Sequence, residues 1–283
     1  MKKVFDFYAD TNKKNKEAFF DALPIGNGHI GAMVYGDPFE EKLILNENTF
    51  WLGNKDRIRY PKDFYENYKK VQKLLLEEKY SEAEHLTRLG LFPNPKGEAI
   101  YTVGGELRLF FPKEKIESYQ RTLHIDEGYV SVEYETKENK IVRKYYASHP
   151  DDVIVVEIEA SKEIEILCNL DREKLIDSVE ATSNQITLTC KYNQKDEFHL
   201  CVKGTAEEVK TIGASLLLKG KHIKFYLAMA TTLYDPIPQE YVKKCLEECL
   251  NQDVFMNAKK DYTSLYNKQA FLCDDEEMMY MYN

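Results

Sequence analysis

The chain has 283 residues and a formal net charge of −9, from 39 Lys and Arg against 48 Asp and Glu, with 43% hydrophobic and 31% charged residues. This balance is that of a globular chain long enough to bury a sizeable core, and it excludes disorder, collagen and coiled coil as the main character. An acidic whole also disfavours nucleic acid and anionic membrane as partners, because phosphate binding needs a basic face.

The N-terminus, Met1-Lys2-Lys3-Val4-Phe5-Asp6, is interrupted by Asp6 and Asp10 before an apolar signal region can form, so no signal peptide is expected. No apolar run reaches 18 residues, so no spanning helix is expected. The six cysteines (Cys168, Cys190, Cys201, Cys245, Cys249 and Cys273) are too sparse for a disulfide scaffold. Buried, reduced thiols in a cytoplasmic protein are expected instead.

Residues 1–60 are punctuated by Gly and Asn between short apolar runs. Residues 61–90 read as helical: Phe64, Tyr68, Val71 and Leu75 share one face, Pro61 and Asp63 suit its start, and Gly90 and Pro93 mark its end. From about 99 to 233 the period changes to two. Glu106 to Phe110, Tyr129 to Glu135, Val153 to Glu159, Ile164 to Leu167, Gln185 to Thr189, Phe198 to Val202 and Ile223 to Met229 all read as strands. Turn signals sit at Asp126-Glu127-Gly128, Glu138-Asn139-Lys140 and Lys219-Gly220-Lys221. Many short strands with almost no intervening helix predict an antiparallel sandwich rather than a βαβ fold. Residues 238–270 return to a helical period, with Pro238 in a first turn and Asp253 placed to cap a second helix. The final stretch, 274–283, reads as a cut or mobile tail.

Gly26-Asn27-Gly28-His29-Ile30-Gly31 formally matches G-x-G-x-x-G. A dinucleotide fingerprint needs a strand before it and a helix opening at the glycines. Here a poor strand precedes and a strand-like Ala32-Met33-Val34 follows, so the glycines read as a place where backbones approach closely. Cys245 and Cys249 lie one helical turn apart, but no second pair stands at zinc spacing, so they read as core and no metal or other cofactor is expected. There is no Gly-x-Ser-x-Gly elbow and no local nucleophile signature. With 48 carboxylates a catalytic pair cannot be chosen by residue type, and no catalytic residue is assigned. Leu43-Ile44-Leu45-Asn46-Glu47-Asn48-Thr49-Phe50-Trp51-Leu52-Gly53 is the densest functional-looking segment: its amides and carboxylate can hydrogen-bond sugar hydroxyls, and the only Trp can stack on a pyranose ring. Asn capping a turn and Trp plugging a core would explain the same residues.

Ala22-Leu23-Pro24-Ile25-Gly26-Asn27-Gly28-His29-Ile30-Gly31-Ala32-Met33-Val34 resembles the opening signature of the glycoside hydrolase family 95 α-L-fucosidases. Leu45 to Gly53 resembles that family's LNEDTLWSG segment, and Tyr80 to Glu84 its helical EAE motif. Tyr101 to Leu107, Tyr119 to Ile125, Tyr146 to Val155 and Asp261 to Tyr266 follow in the family's order, so the resemblance covers about residues 19–270. Ile25, His29, Asn48 and Leu52 depart from it; the family commonly has Leu, Arg, Asp or Glu, and Ser or Thr at these places.

The resemblance implies a mainly β fold: an antiparallel β-supersandwich over 1–235 with a helical insertion at about 61–90, then linker helices and a tail over 236–283. In the family these lead to an (α/α)6 barrel that carries the catalytic residues of an inverting, metal-free hydrolysis. No residue here matches those, and none is carried over. The chain is then expected to be a non-catalytic N-terminal module, with Asn27, His29, Asn46, Glu47 and Trp51 on the side of a fucosylated or related oligosaccharide. Two other readings stay open: a stand-alone carbohydrate-binding sandwich, and an enzyme in its own right. The helices of 238–270 are expected to expose an apolar face where the barrel is missing, through which a homodimer could form.

Overall fold

The computed structural model describes residues 21–53, 59–93, 99–270, 273–275 and 277–278, and the backbone of 4–7. Most of the expected C-terminal tail lies outside the described residues. The chain forms two compact units, one of residues 1–50 and 103–283, the other Trp51–Thr102.

The first part of the larger unit comprises strands β1 (Val4–Phe7), β2 (Leu23–Gly26), β3 (Ile30–Val34) and β4 (Glu40–Glu47). The smaller unit follows with β5 (Trp51–Leu52), α1 (Phe64–Leu76), α2 (Tyr80–Gly90) and β6 (Ile100–Tyr101). The larger unit resumes with β7 (Gly105–Phe110), β8 (Ile116–His124), β9 (Tyr129–Thr136), β10 (Lys140–Ser148) and β11 (Val153–Asp171). After these come β12 (Ser178–Thr182), β13 (Gln185–Tyr192), β14 (Asp196–Thr205), β15 (Glu208–Ile212) and β16 (Ser215–Thr231), and then α3 (Pro238–Cys249) and α4 (Val254–Tyr266).

All pairings in the large sheet are antiparallel. One path runs β1-β8-β9-β10-β11-β16-β14-β13-β12, while β2, β3, β4 and β7 form an arm that joins at β11. The two longest strands make this possible. The first half of β11 pairs β10 and the second half pairs β7, with β16 alongside both. The arm folds back so that β2 and β3 lie against β9, β10 and β11, and β4 lies against β16. The result is an antiparallel β-supersandwich in which β11 and β16 serve both layers.

Burial follows from this plan. β4 and β13 alternate buried and half-exposed residues, as strands covered on one face do. Val153 to Val156 and Phe225 to Thr231 are buried without alternation, because both faces are covered. The sandwich interior takes Ile154 and Val156, while α3 and α4 take Val153 and Val155. The stripe Val242, Cys245, Leu246, Cys249, Val254 and Ala258 packs on the sheet with them. The apolar stripe of the 238–270 helices is therefore an inner face, not the exposed one expected from sequence.

Two strand boundaries also differ from the sequence reading. Val153 to Glu159 and Ile164 to Leu167 belong to one strand, whose register slips between Glu159 and Ile164 while Ser161 to Glu163 stay exposed. Lys219-Gly220-Lys221 is not a turn. It lies within β16 with Gly220 opposite Ile164, where the glycine leaves room for the Glu207 carboxylate that accepts the Lys221 N–H at 3.1 Å. The helical segment of the smaller unit is split into α1 and α2 by Glu77–Lys79, with Glu78 at φ +60°. Within these helices only Asn67, Val71, Ala83 and Gly90 are buried.

One charged pair ties the two layers together. Arg143 on β10 and Glu41 on β4 are fully buried, with Nη1 to Oε2 at 3.3 Å. Glu41 also accepts from the Tyr145 hydroxyl (2.6 Å) and the Gly36 N–H (2.8 Å). Arg143 donates to the Asp37 carbonyl (2.9 Å) and lies over the Phe111 ring. Burial still holds the Glu41 carboxyl above its ordinary value, against the pull of Arg143.

α4 is seated by a second close fit. The Tyr262 hydroxyl donates to the Ile125 carbonyl at 2.6 Å, and its ring lies over Gly128, which sits at φ +76° in the β8–β9 turn. A Cβ at Gly128 would meet the ring at 2.6 Å. Gly128→Ala is expected to destabilise the fold by about 2–4 kcal/mol, combining left-handed strain with overpacking. Urea unfolding checks this; an unchanged midpoint would show that the ring moves aside freely.

Candidate functional site

The chain end of β2 and the start of β3 form a tight hairpin in which Gly26 lies opposite Gly31. No helix opens at these glycines. The Asn27 side-chain carbonyl accepts the N–H groups of His29 (2.9 Å) and Ile30 (2.8 Å), and Gly28 turns the chain at φ +94°. This local turn brings His29 inward at one end of the larger unit. Glu47 is the last residue of β4, on the same buried face as Leu43 and Leu45. Asp152 closes the β10–β11 turn at φ +49°, and Tyr241 lies in the first turns of α3.

These four elements converge on one imidazole. His29 Nε2 lies 2.8 Å from Glu47 Oε1, and Nδ1 lies 2.7 Å from Asp152 Oδ2. Asp152 also accepts from the Tyr241 hydroxyl (2.7 Å) and, on its other oxygen, from the Asn27 amide (2.8 Å). Glu47 accepts from the Thr49 hydroxyl (2.7 Å) and Thr49 N–H (2.9 Å), and Thr49 meets Thr231 at the end of β16. The Tyr234 ring stacks on His29 at 3.5 Å. The His29 side chain is 8% exposed and Glu47 is fully buried.

Burial alone would lower the His29 pKa, but hydrogen bonds and charge from Asp152 and Glu47 outweigh it and raise it to about 9. Burial alone would raise the Asp152 carboxyl; the hydrogen bonds from His29, Tyr241 and Asn27 hold it below its ordinary value. At neutral pH the group is an imidazolium donating from both nitrogens to two carboxylates. It has no lone pair left to act as a base, and each carboxylate oxygen of Glu47 and Asp152 already accepts a hydrogen bond. Chemically the cluster is a latch between two hairpin turns, a strand end and α3. A cavity of about 230 Å³ borders it, lined by Asp151, Asp152, Tyr241, Lys244 and Glu248.

Of the five residues singled out from sequence, the structure brings together Asn27, His29 and Glu47. Asn46 precedes Glu47 on β4 and, by strand alternation, lies on the opposite face, half-buried. Trp51 belongs to the smaller unit, where its 39% exposed ring packs against Tyr101 at 5.1 Å. Sequence reasoning missed Asp152, Tyr241 and Tyr234 as partners of His29. The available signal was the polar Asp151-Asp152 pair placed directly before the apolar run at Val153. Among the described residues no group of three or more His, Cys, Asp or Glu is placed to hold a metal ion. Cys245 and Cys249 sit in the helix–sheet core, and burial raises both thiols, that of Cys245 to about 11.

A histidine whose pKa rises from 6.5 to about 9 on folding contributes stability that is complete below pH 6.5 and lost as pH climbs through 9. Thermal unfolding should therefore weaken across that window, by on the order of 3 kcal/mol. His29→Arg keeps a permanent positive charge and should flatten this part of the profile; an unaltered slope would remove His29 as its source. Tyr241→Phe deletes a hydrogen bond to a charged carboxylate and is expected to cost about 1.5–3 kcal/mol in urea unfolding. A wild-type midpoint would mean that the hydroxyl contributes nothing to seating α3.

Comparison with known proteins agrees with this architecture. Over 153 residues, half of this chain, it is 35% identical to alpha-L-fucosidase 2 of Arabidopsis thaliana, and the match spans 17% of that protein. A solved structure named as a kojibiose phosphorylase from the human microbiome superimposes with a TM-score of 0.56 at 12% identity, covering 93% of this chain and 37% of that one. At that identity the likeness speaks for the fold. The chain thus spans well under half the length of these relatives. Residues 9–241 match the family described as glycosyl hydrolase family 65, N-terminal domain, and the chain belongs to that family of glycoside hydrolase N-terminal domains.

Proposed function

We propose that this chain is the non-catalytic N-terminal module of an α-L-fucosidase-type, family 95-like glycoside hydrolase, which supports the sugar pocket of a helical-barrel catalytic domain. The observation that carries this reading is the closure of the Glu47–His29–Asp152 network. General acid–base catalysis needs a group that can give or take a proton at the substrate. Here both imidazole nitrogens and all four carboxylate oxygens are engaged within the protein. The fucosidase assignment is supported by the 35% identity to alpha-L-fucosidase 2.

In this reading Asn27, His29 and Glu47 fix the loop end of the sandwich and act on an oligosaccharide through its shape. Asn46 and Trp51 are the candidates for direct contact. Incubating the purified chain with 2′-fucosyllactose should release no fucose above buffer. Turnover that disappears in His29→Arg would overturn the non-catalytic reading and make the cluster a catalytic one.

A second reading, a carbohydrate-binding module acting by itself, is favoured by the Trp51–Tyr101 pair, whose rings are 39% and 43% exposed. Aromatic faces of this kind suit the apolar face of a pyranose. Calorimetric titration with 2′-fucosyllactose separates the two readings. The proposed module shows no binding that depends on Trp51, whereas saturable binding that is abolished in Trp51→Ala establishes the second.

A further inference from the structure

A second polar cavity lies on the outer face of the larger unit, where the α3–α4 connection meets the sheet. Its volume is about 330 Å³, at the small end of the range for ligand sites. It is lined by Tyr146, Glu157, Lys224, Tyr226, Gln252 and Asp253, with Val254. Glu157 and Lys224 are opposite each other on β11 and β16, and Tyr226 lies two residues further along β16.

Tyr226 is 8% exposed, yet its hydroxyl has no hydrogen-bond partner among the described residues. The ring is thus packed while the hydroxyl faces the cavity, where it can donate or accept. Glu157 uses one oxygen, Oε1, for the Tyr146 hydroxyl (3.0 Å) and the Lys224 ammonium (2.7 Å), which leaves Oε2 as an acceptor. The Gln252 carbonyl accepts from Asn257 at 3.0 Å, which leaves its amide N–H groups as donors. Asp253 caps α4 with one oxygen at 3.2 Å from the Met256 N–H, and the other is open.

The lining thus offers two carboxylate acceptors, an amide donor and a phenol that can do either. Two carboxylates repel an anion. The Lys224 ammonium, already seated on Glu157, opposes a cation. The scarcity of apolar surface gives a hydrophobic ligand nothing to bury. A neutral molecule with several adjacent hydroxyls satisfies every one of these groups. We propose that this cavity is a binding site for a single neutral sugar, of monosaccharide size, held by Tyr226, Glu157, Gln252 and Asp253. The assignment goes beyond the fucosidase reading and does not require it.

The test is a titration of the isotopically labelled chain with L-fucose, D-glucose and D-galactose, each followed by backbone amide shifts. For a ligand of this size the expected Kd is roughly 1–10 mM. At least one sugar should give saturable shifts at Gln252, Asp253 and Val254. Tyr226→Phe removes only an unpartnered hydroxyl, so its melting temperature should match the wild type while its affinity drops about tenfold. Glu157→Gln keeps an acceptor for Tyr146 and should weaken binding similarly. The proposal fails if none of the three sugars shifts these amides by about 100 mM, well above the expected Kd. It fails equally if the affinity is the same in Tyr226→Phe, or if inorganic phosphate or Mg²⁺ produces the saturable response and the sugars do not.

Discussion

The structure is governed by two strands that have no polar side to show to water. Val153 to Val156 and Phe225 to Ala230 bury every residue in succession, which a strand can do only when something covers each of its faces. Leaving such side chains exposed would forfeit about 1.5–3 kcal/mol for each large one. One face is therefore closed by the β2–β3–β4–β7 arm and the other by α3 and α4. Past Glu159 the register of β11 slips and alternation returns. The same strand that is central to one layer then passes into the other.

Within this apolar frame two buried charge clusters stand out. Arg143 and Glu41 join the layers, and the Glu47–His29–Asp152 bridge joins the loop end to α3. Buried charges of this kind add little net stability over an apolar alternative, but removing one partner leaves the other uncompensated. Their effect is to fix which turns meet and in what register. At the position where the resembling family commonly carries Arg, this chain has His29, and the bridge thereby becomes sensitive to protonation in a way an arginine bridge would not be.

Membership in a family of glycoside hydrolase N-terminal domains fits this division of labour. The Glu47–His29–Asp152 bridge holds its titratable groups against one another, whereas reactive centres leave an acid or base facing substrate. The polar cavity under Gln252 differs from the bridge in this respect: its lining groups have hydrogen-bonding capacity left over.

The mainly β character, the helices at each end of the strand region and the Asn27–His29 turn were legible in the amino-acid order, because they rest on local period and turn chemistry. The Asn27 side chain binding the N–H groups of His29 and Ile30 is such a local effect. Only the tertiary structure decided that two predicted strands are the single β11, since a slip in register depends on neighbours that are distant in sequence. It alone placed Asp152 and Tyr241 around His29, across separations of 123 residues to Asp152 and 89 more to Tyr241. It also separated Asn46 from Glu47, because adjacent residues on a strand point to opposite faces. Sequence order thus determined which residue types stand ready at each turn. Which of them meet was set by long-range strand pairing and by the partners that buried groups such as His29 and Glu41 require.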